Sequence, residues 1–408
     1  MGYAQTALRG ISWIWALRFL TRGFSFLRIA IIARVLTPSL FGLYGIAALV
    51  LSLVEVFTES GINILIIQGN ENLKKIVSTA WVVSIARGII ISSIVVLSTP
   101  LVTYFFNAPK VPYLILLISI VPLLRGFINP SIIRFQKELE FKKEFYFRGF
   151  LFALESILAI VFVYVLADPA GIIYGLIAGA AVEILLSFLL VRPTPAFSID
   201  RKQVGMILSR GKWLTAGGVF NYLYHNADDA IIGRVLGTAS LGIYDMAYRL
   251  SMLPITEVGE TVSKVILPVY SKISGDRQRL KRAFLKTMLG VSVFTIPIGL
   301  VFFMFANPII LIVLGPKWID AVPVFQVLAI FGIIRTMLSP IFSLFLSVKK
   351  QEYNTFVTFV SFIVMIATII PFINRFGLIG AGFSVVLGSV LGFPMALFFL
   401  RTIFRGKV

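Results

Sequence analysis

The stretch Ile31 to Ala47, IIARVLTPSLFGLYGIA, returns two hundred residues later as Ile231 to Ala247, IIGRVLGTASLGIYDMA. At a constant offset of 200 the two agree at eight of seventeen positions, including Arg34 with Arg234, Gly42 with Gly242 and Tyr44 with Tyr244. The same offset pairs Trp13 with Trp213, Ala16 with Ala216 and Ala30 with Ala230. An apolar chain matches itself at some positions by chance. It does not readily match itself at Arg, Gly, Tyr and Trp in one register. The chain is an internal duplication, so its fold must be built from two copies of one unit.

Hydropathy says what the unit is. Apolar residues make up 58% of the chain and charged residues 13%, against about 25% charged in a soluble domain. Mean hydropathy is +0.96. A bilayer core about 30 Å thick needs about 20 apolar residues per helix. Twelve segments meet that need: 11–36, 41–67, 76–105, 111–134, 148–167, 171–191, 212–236, 240–268, 284–314, 320–347, 354–374 and 378–401. Each copy holds six. Six is even, so both copies enter the membrane from the same side, as parallel repeats about an axis along the membrane normal. The expected fold is an all-α polytopic membrane protein of twelve transmembrane helices in two pseudo-symmetric six-helix bundles. The boundaries are 1–192 for the first bundle, 193–211 for a linker and 212–408 for the second. In the linker, Pro193 and Pro195 break the helix. Val204, Ile207 and Leu208 then form an apolar face beside Arg201, Lys202 and Arg210. That pattern predicts a helix lying on the cytoplasmic surface.

The net charge of +19 raises the question of nucleic acid, and the placement of the charges answers it. With a cytoplasmic N-terminus, the inside loops hold 23 of the 37 Lys and Arg, and the outside loops hold Lys110, Lys317 and Arg375. This is the positive-inside bias of a multi-pass protein of the cell membrane with both termini cytoplasmic. No nucleic acid partner is needed. The first apolar stretch carries Arg18, Arg22 and Arg28 and no small-residue cleavage pattern, so it is not a cleavable signal peptide. The chain has no cysteine, and its one histidine, His225, cannot make a histidine-cluster metal site.

Eleven basic residues and nine acids lie within or at the ends of the segments. A centred Arg facing lipid costs about 2.5–3.5 kcal/mol, so eleven would cost on the order of 30 kcal/mol. They must pair, snorkel or line a cavity. Arg18, Arg22 and Arg28 fall within about 120° of one another on a helix turning about 100° per residue. They are candidates for anion contact or for pairing with Glu55 and Glu59, which lie on one stripe of the second segment with Asn63. Arg34, Arg134, Arg234 and Lys264 lie near segment ends, where long side chains snorkel. Asn221, His225 and Asp228 share a narrow arc of the seventh segment, with Asp229 adjacent. His225 reads as an interior polar residue or a proton carrier. The adjacent acids Asp228 and Asp229 repel, which favours uptake of a proton or cation there. In the eighth segment Asp245 and Arg249, four residues apart, either pair or leave Arg249 to contact an anion. Arg335 and Pro340 echo Arg125 and Pro130 at an offset of 210. Under the 200 offset Asp228 takes the place of Arg28, and an attraction between them is one expectation. The alternative is that each pairs within its own half.

Four stretches carry a resemblance. They are RVLTPSLFGLYGIA followed by GINILIIQ, GKW at Gly211 to Trp213, NADDAIIGRVLGTASLGIYDMAYRLSMLP at Asn226 to Pro254, and ANPIILIVLGPKW at Ala306 to Trp318. Over essentially its whole length the chain resembles the polysaccharide-transport branch of the multidrug/oligosaccharidyl-lipid/polysaccharide exporter superfamily, the Wzx-type flippases and the colanic-acid and teichuronic-acid exporters. The resemblance implies two six-helix bundles forming a V around a central cavity. It implies movement of a polyprenyl-diphosphate-linked oligosaccharide from the cytoplasmic to the outer leaflet, and membrane lipids and other glycan-assembly membrane proteins as partners. A diphosphate suits arginine forks, which makes Arg18, Arg22, Arg28 and Arg249 candidate substrate ligands. Asp228, Asp229, Glu55 and Glu59 are candidates for ion coupling. No catalytic residue and no cofactor is expected beyond a coupling ion, Na+ or H+. Two other functions compete: a cation-coupled multidrug-type exporter, and an integral-membrane glycan polymerase or transferase. The short outside loops and the absence of a nucleophile–base pair weigh against the enzyme.

Overall fold

The computed structural model describes residues 3–58, 62, 66 and 73–405. The described residues are helical within all twelve predicted segments. In the first half these are α1 (Tyr3–Val35), α2 (Pro38–Phe57), α3 (Leu73–Phe106), α4 (Pro112–Ile118), α5 (Ile120–Gly126), α6 (Arg134–Lys137), α7 (Phe141–Leu166) and α8 (Ala170–Leu190). They are followed by α9 (Arg201–Val235), α10 (Gly237–Ile273), α11 (Arg277–Met304), α12 (Ala306–Val313), α13 (Ala321–Ser347), α14 (Gln351–Phe376) and α15 (Leu378–Arg405). Among the described residues eight helices are long and apolar enough to cross a membrane, and nine if one bent pair counts as a span. The other three, α1, α9 and α10, are 33, 35 and 37 residues long. At 1.5 Å per residue each reaches about 50 Å, and these three carry most of the interior charge. The protein is an all-α integral membrane protein.

Three boundaries depart from expectation. The segment at 111–134 is broken, and Pro112–Gly126 meets Pro130–Lys137 at 69°. The cause is Asn129. Its side-chain oxygen accepts from the Ser131 amide at 3.0 Å, and its side-chain amide donates to the carbonyls of Ser187, Val191 and Pro193, each at 3.3 Å. A buried Asn that satisfies four backbone groups fixes a corner that the helix cannot continue through. The segment at 284–314 is split at Phe305, because Pro308 has no N–H to offer the Met304 carbonyl. The linker helix does not stop before the seventh segment. It is one helix with it, α9, and Ile207 is fully buried in a cluster with Ile62, Ile66, Ile76, Ala80 and Ile133. Ile207 of its apolar face therefore packs on protein. The turn before it is held to α3, where Ser78 and Thr79 hydroxyls accept from the Ala196 and Asp200 amides at 3.0 and 3.1 Å.

The chain divides into two compact units, Met1–Leu223 and Tyr224–Val408, with the division inside α9. In the first, α7 packs on both α8 and α1, and α3 packs on α5. In the second, α14 packs on α15, and α13 packs on α10, α11 and α15. Tyr270, Phe284, Ile341, Leu344 and Phe345 lie at the centre of its core.

Candidate substrate and ion sites

Each unit holds a polar site among its apolar helices. In the first unit the site depends on how closely α7 and α8 approach. Gly171, Gly175 and Gly179 recur every four residues on α8. They meet Val163, Ala159 and Glu155, which recur every four residues on α7. A Cβ added at Gly175 would lie 2.6 Å from the Ala159 Cα. Stripes of small residues let membrane helices come together this way. The packing seats Glu155 against Gly179, and α1 brings Arg28 to it. One guanidinium nitrogen donates to Glu155 Oε1 at 3.1 Å, and the guanidinium lies 5.6 Å from the Phe152 ring centre. The two charged side chains are 21% and 18% exposed, so the pair is shielded while still open to a competing ligand.

Beside this pair lies a cavity of about 350 Å³, lined by Arg18, Thr21, Arg148, Glu155 and Glu183 together with apolar side chains. Of the three predicted arginines of α1, Arg18 lines the cavity and Arg28 holds Glu155, which also lines it. Arg22 is exposed on the same helix and is not part of the lining. Glu55 is not the partner of this cluster. It faces Arg125 at 3.9 Å, and its backbone carbonyl accepts from Arg87 at 3.0 Å. Glu59 and Asn63 lie outside the described residues.

The second site is nearly closed. A void of about 20 Å³ is bounded by Tyr224, His225, Asp228, Tyr248, Arg335 and neighbours from α13, α14 and α15, room for about one water. Arg335 donates to the Tyr248 hydroxyl at 2.7 Å and approaches the His225 ring nitrogens at 3.4 and 3.5 Å. A guanidinium only donates, so a hydrogen bond between the two uses a ring nitrogen of His225 as acceptor. Tyr244 donates to Asp228 Oδ2 at 2.7 Å. Asp228 is 4% exposed, and its Oδ1, like Oδ1 of Asp229, is buried without a hydrogen-bond partner. Asp245 and Arg249 pair at 2.7 Å. In this structure Arg28 and Asp228 are each bonded inside their own half, the arrangement the sequence left as the alternative.

The sequence reading did not place Glu155, Glu183 and Arg148 in the first site, or Tyr244, Tyr248 and Arg335 in the second. The glycine spacing of GIIYGLIAG on α8 was the signal for the first group. The echo of Arg125 by Arg335 was the signal for the second.

Apolar helices whose interiors hold ion pairs and polar cavities are the construction of a membrane transporter. Residues 31–323 match the family described as polysaccharide biosynthesis protein, and the chain belongs to that family. It is 26% identical over 395 residues to the lipopolysaccharide biosynthesis protein WzxC of Escherichia coli (strain K12), covering 96% of this chain and 79% of that one. Its fold is that of a solved lipid II flippase MurJ in an inward closed conformation. The TM-score is 0.72 and the identity 18%, over 95% of this chain and 88% of that one. An inward-facing multidrug resistance MATE family transporter has the same fold, with a TM-score of 0.70 and 14% identity, over 94% of this chain and 96% of that one.

Proposed function

We propose that this protein is a flippase that moves a polyprenyl-diphosphate-linked oligosaccharide from the cytoplasmic to the outer leaflet by alternating access, with both termini in the cytoplasm. The observation that carries this reading is the first-unit cavity, where Arg18 and Arg148, the latter paired with Glu144 at 2.9 Å, line with Glu155 and Glu183 a space inside helices otherwise made for lipid. Arginine forks match the oxygens of a diphosphate, and Glu155 keeps Arg28 neutralised until an anion competes for it. Arg22 and Arg249 are further candidate contacts. The lipid tail stays in the bilayer, and no bond is made or broken. The relatives are named for biosynthesis and for flipping, and the reading as a transporter and not an enzyme agrees with those names.

Coupling is assigned to Asp228 and Asp229, whose partnerless carboxylate oxygens are suited to Na+ or H+. Other membrane proteins of glycan assembly are the expected partners. Deleting the gene should leave a lipid-linked sugar on the cytoplasmic leaflet, and the wild-type gene should clear it. Arg18→Ala and Arg28→Ala should clear it poorly at normal protein levels, and the Lys variants should be intermediate because charge survives and the fork does not. Normal clearance by both Ala variants rejects the diphosphate site. Increased sensitivity to small amphipathic cations with no accumulated lipid-linked sugar would favour a multidrug-type exporter instead.

A further inference from the structure

The largest cavity described above is not the largest in the first unit. A cleft of about 590 Å³ opens where α6, the start of α7 and the end of α8 meet. Its floor is Phe135 and Phe147, both buried and edge-to-face at 6.1 Å. One wall is Tyr146 and Phe150 of α7, and the other is Leu186 and Leu190 of α8. Phe150 and Leu190 are 56% and 66% exposed, so the apolar walls run on into the lipid-facing surface of the two helices. The rim is basic: Arg134, Lys143 and Arg192, against the single acid Glu140.

These features specify a ligand with an anionic head and an apolar tail. We propose that this cleft binds an anionic phospholipid of the cytoplasmic leaflet, its phosphate at Arg192, Arg134 and Lys143 and its first methylenes against Phe150 and Leu190. Arg192 carries the assignment. It follows the last turn of α8, and its guanidinium has no hydrogen-bond partner among the described residues. The other two bases are within reach of acids. Arg134 donates to Glu138 at 2.6 Å and to the Arg192 carbonyl at 3.2 Å, and Lys143 donates to Glu140 at 2.6 Å. Arg134 is thus held beside Arg192 by its own backbone contact. A phosphate placed there gains the fork of Arg192 and the guanidinium N–H groups of Arg134 that Glu138 and the Arg192 carbonyl leave over, and Lys143 can leave the exposed Glu140 to join it. The volume suits a headgroup and the start of its chains, within the range of about 300–1,000 Å³ usual for small-ligand sites. The choice of leaflet rests on the orientation proposed above. The cleft lies on the same two helices as the cavity of Arg18 and Glu155 but shares no lining residue with it.

The test uses the full chain in phosphatidylcholine nanodiscs titrated with phosphatidylglycerol, reading bound lipid by native mass spectrometry. The wild type should retain phosphatidylglycerol in preference to phosphatidylcholine. Arg192→Gln should weaken retention about tenfold, the effect of losing a hydrogen bond to a charged group, and Arg134→Gln should add to it. Phe150→Ala should lower retention without altering the preference for an anionic head. Lys281→Gln with Arg282→Gln, a basic pair elsewhere on the cytoplasmic side, should change nothing. If that control lowers retention as much as Arg192→Gln, the attraction is diffuse surface charge and the site is rejected. Displacement of phosphatidylglycerol by a short polyprenyl diphosphate at equal concentration would overturn the proposal in favour of a substrate-entry site. Loss of retention with normal flipping leaves the proposed function standing, so the two readings fail separately.

Discussion

Glu155 and Asp228 are both carboxylates inside apolar helices, and each is kept there by a different donor. Glu155 takes a guanidinium from α1 at 3.1 Å. Asp228 takes a phenol from α10 at 2.7 Å. The difference follows from the duplication. Tyr44 and Tyr244 are matched, while Arg28 and Asp228 stand at equivalent places with opposite charge. In the second half Tyr244 grips Asp228, and in the first half Arg28 reaches across to Glu155 of α7. Tyr244 is fully buried, so removing its hydroxyl leaves a carboxylate oxygen with no replacement donor. Tyr244→Phe should therefore destabilise the protein by about 1–3 kcal/mol, the usual cost of orphaning a buried polar group. It should appear as a lowered apparent melting midpoint in detergent. Adding Asp228→Leu should restore part of the loss, because removing both partners can be nearly neutral. A double variant that falls by the sum of the two singles would show that the hydroxyl and the carboxylate are not coupled.

At the scale of helices, the sites are positioned by close approaches. Gly175 illustrates the cost. In Gly175→Ala the new Cβ meets the Ala159 backbone at 2.6 Å, and overpacking of that kind costs about 1–3 kcal/mol. Gly290 of α11 has open space where its Cβ would be, so Gly290→Ala should be neutral or gain up to about 1 kcal/mol of helix propensity. Melting midpoints of the two variants should move in opposite directions, or the first alone should move. Equal and small shifts would show that α8 can back away from α7 and that the glycine stripe does not set Glu155. The sequence made some of this legible. Twelve apolar runs marked the helices, because a bilayer demands length and hydropathy that are visible in any window. The charged stripes marked the helix faces, because helical periodicity is local. What remained hidden was pairing between helices. Arg28 and Glu155 are 127 residues apart, and nothing local links them. The corner at Asn129 was hidden for the same reason. Its amide answers carbonyls at Ser187, Val191 and Pro193, and its own neighbourhood reads like the continuous helix that Pro340 allows in the second half.

At the scale of the molecule, the duplication is visible in the packing as well as in the residues. The contact of α7 with α8 recurs as that of α14 with α15. Those of α3 with α5 and of α5 with α8 recur as α11 with α13 and α13 with α15. These pairs of neighbours recur, while the polar sites differ: an open cavity lined by Arg18, Arg148, Glu155 and Glu183 in the first half, a nearly closed one lined by His225, Asp228 and Arg335 in the second. If each half crosses the membrane six times, as the sequence predicts, both enter from the same side, and the orientation of the whole chain can be tested in either half. The turns give suitable positions, all exposed. Lys110 lies between α3 and α4, Lys317 in the turn Pro316–Trp318 and Arg375 at the end of α14. These should lie outside. Lys143 at the start of α7, Arg279 at the start of α11 and Lys350 between α13 and α14 should lie inside, where basic residues collect. The chain has no native cysteine, so single cysteines can be introduced without background. Cysteine at each of the first three positions should react with a membrane-impermeant maleimide applied to whole cells. Cysteine at each of the last three should react only after the membrane is opened. Two results are decisive. Full reversal would place the basic loops outside and remove the basis for the cytoplasmic termini. Labelling that agrees in one half and reverses in the other would make the repeats inverted rather than parallel.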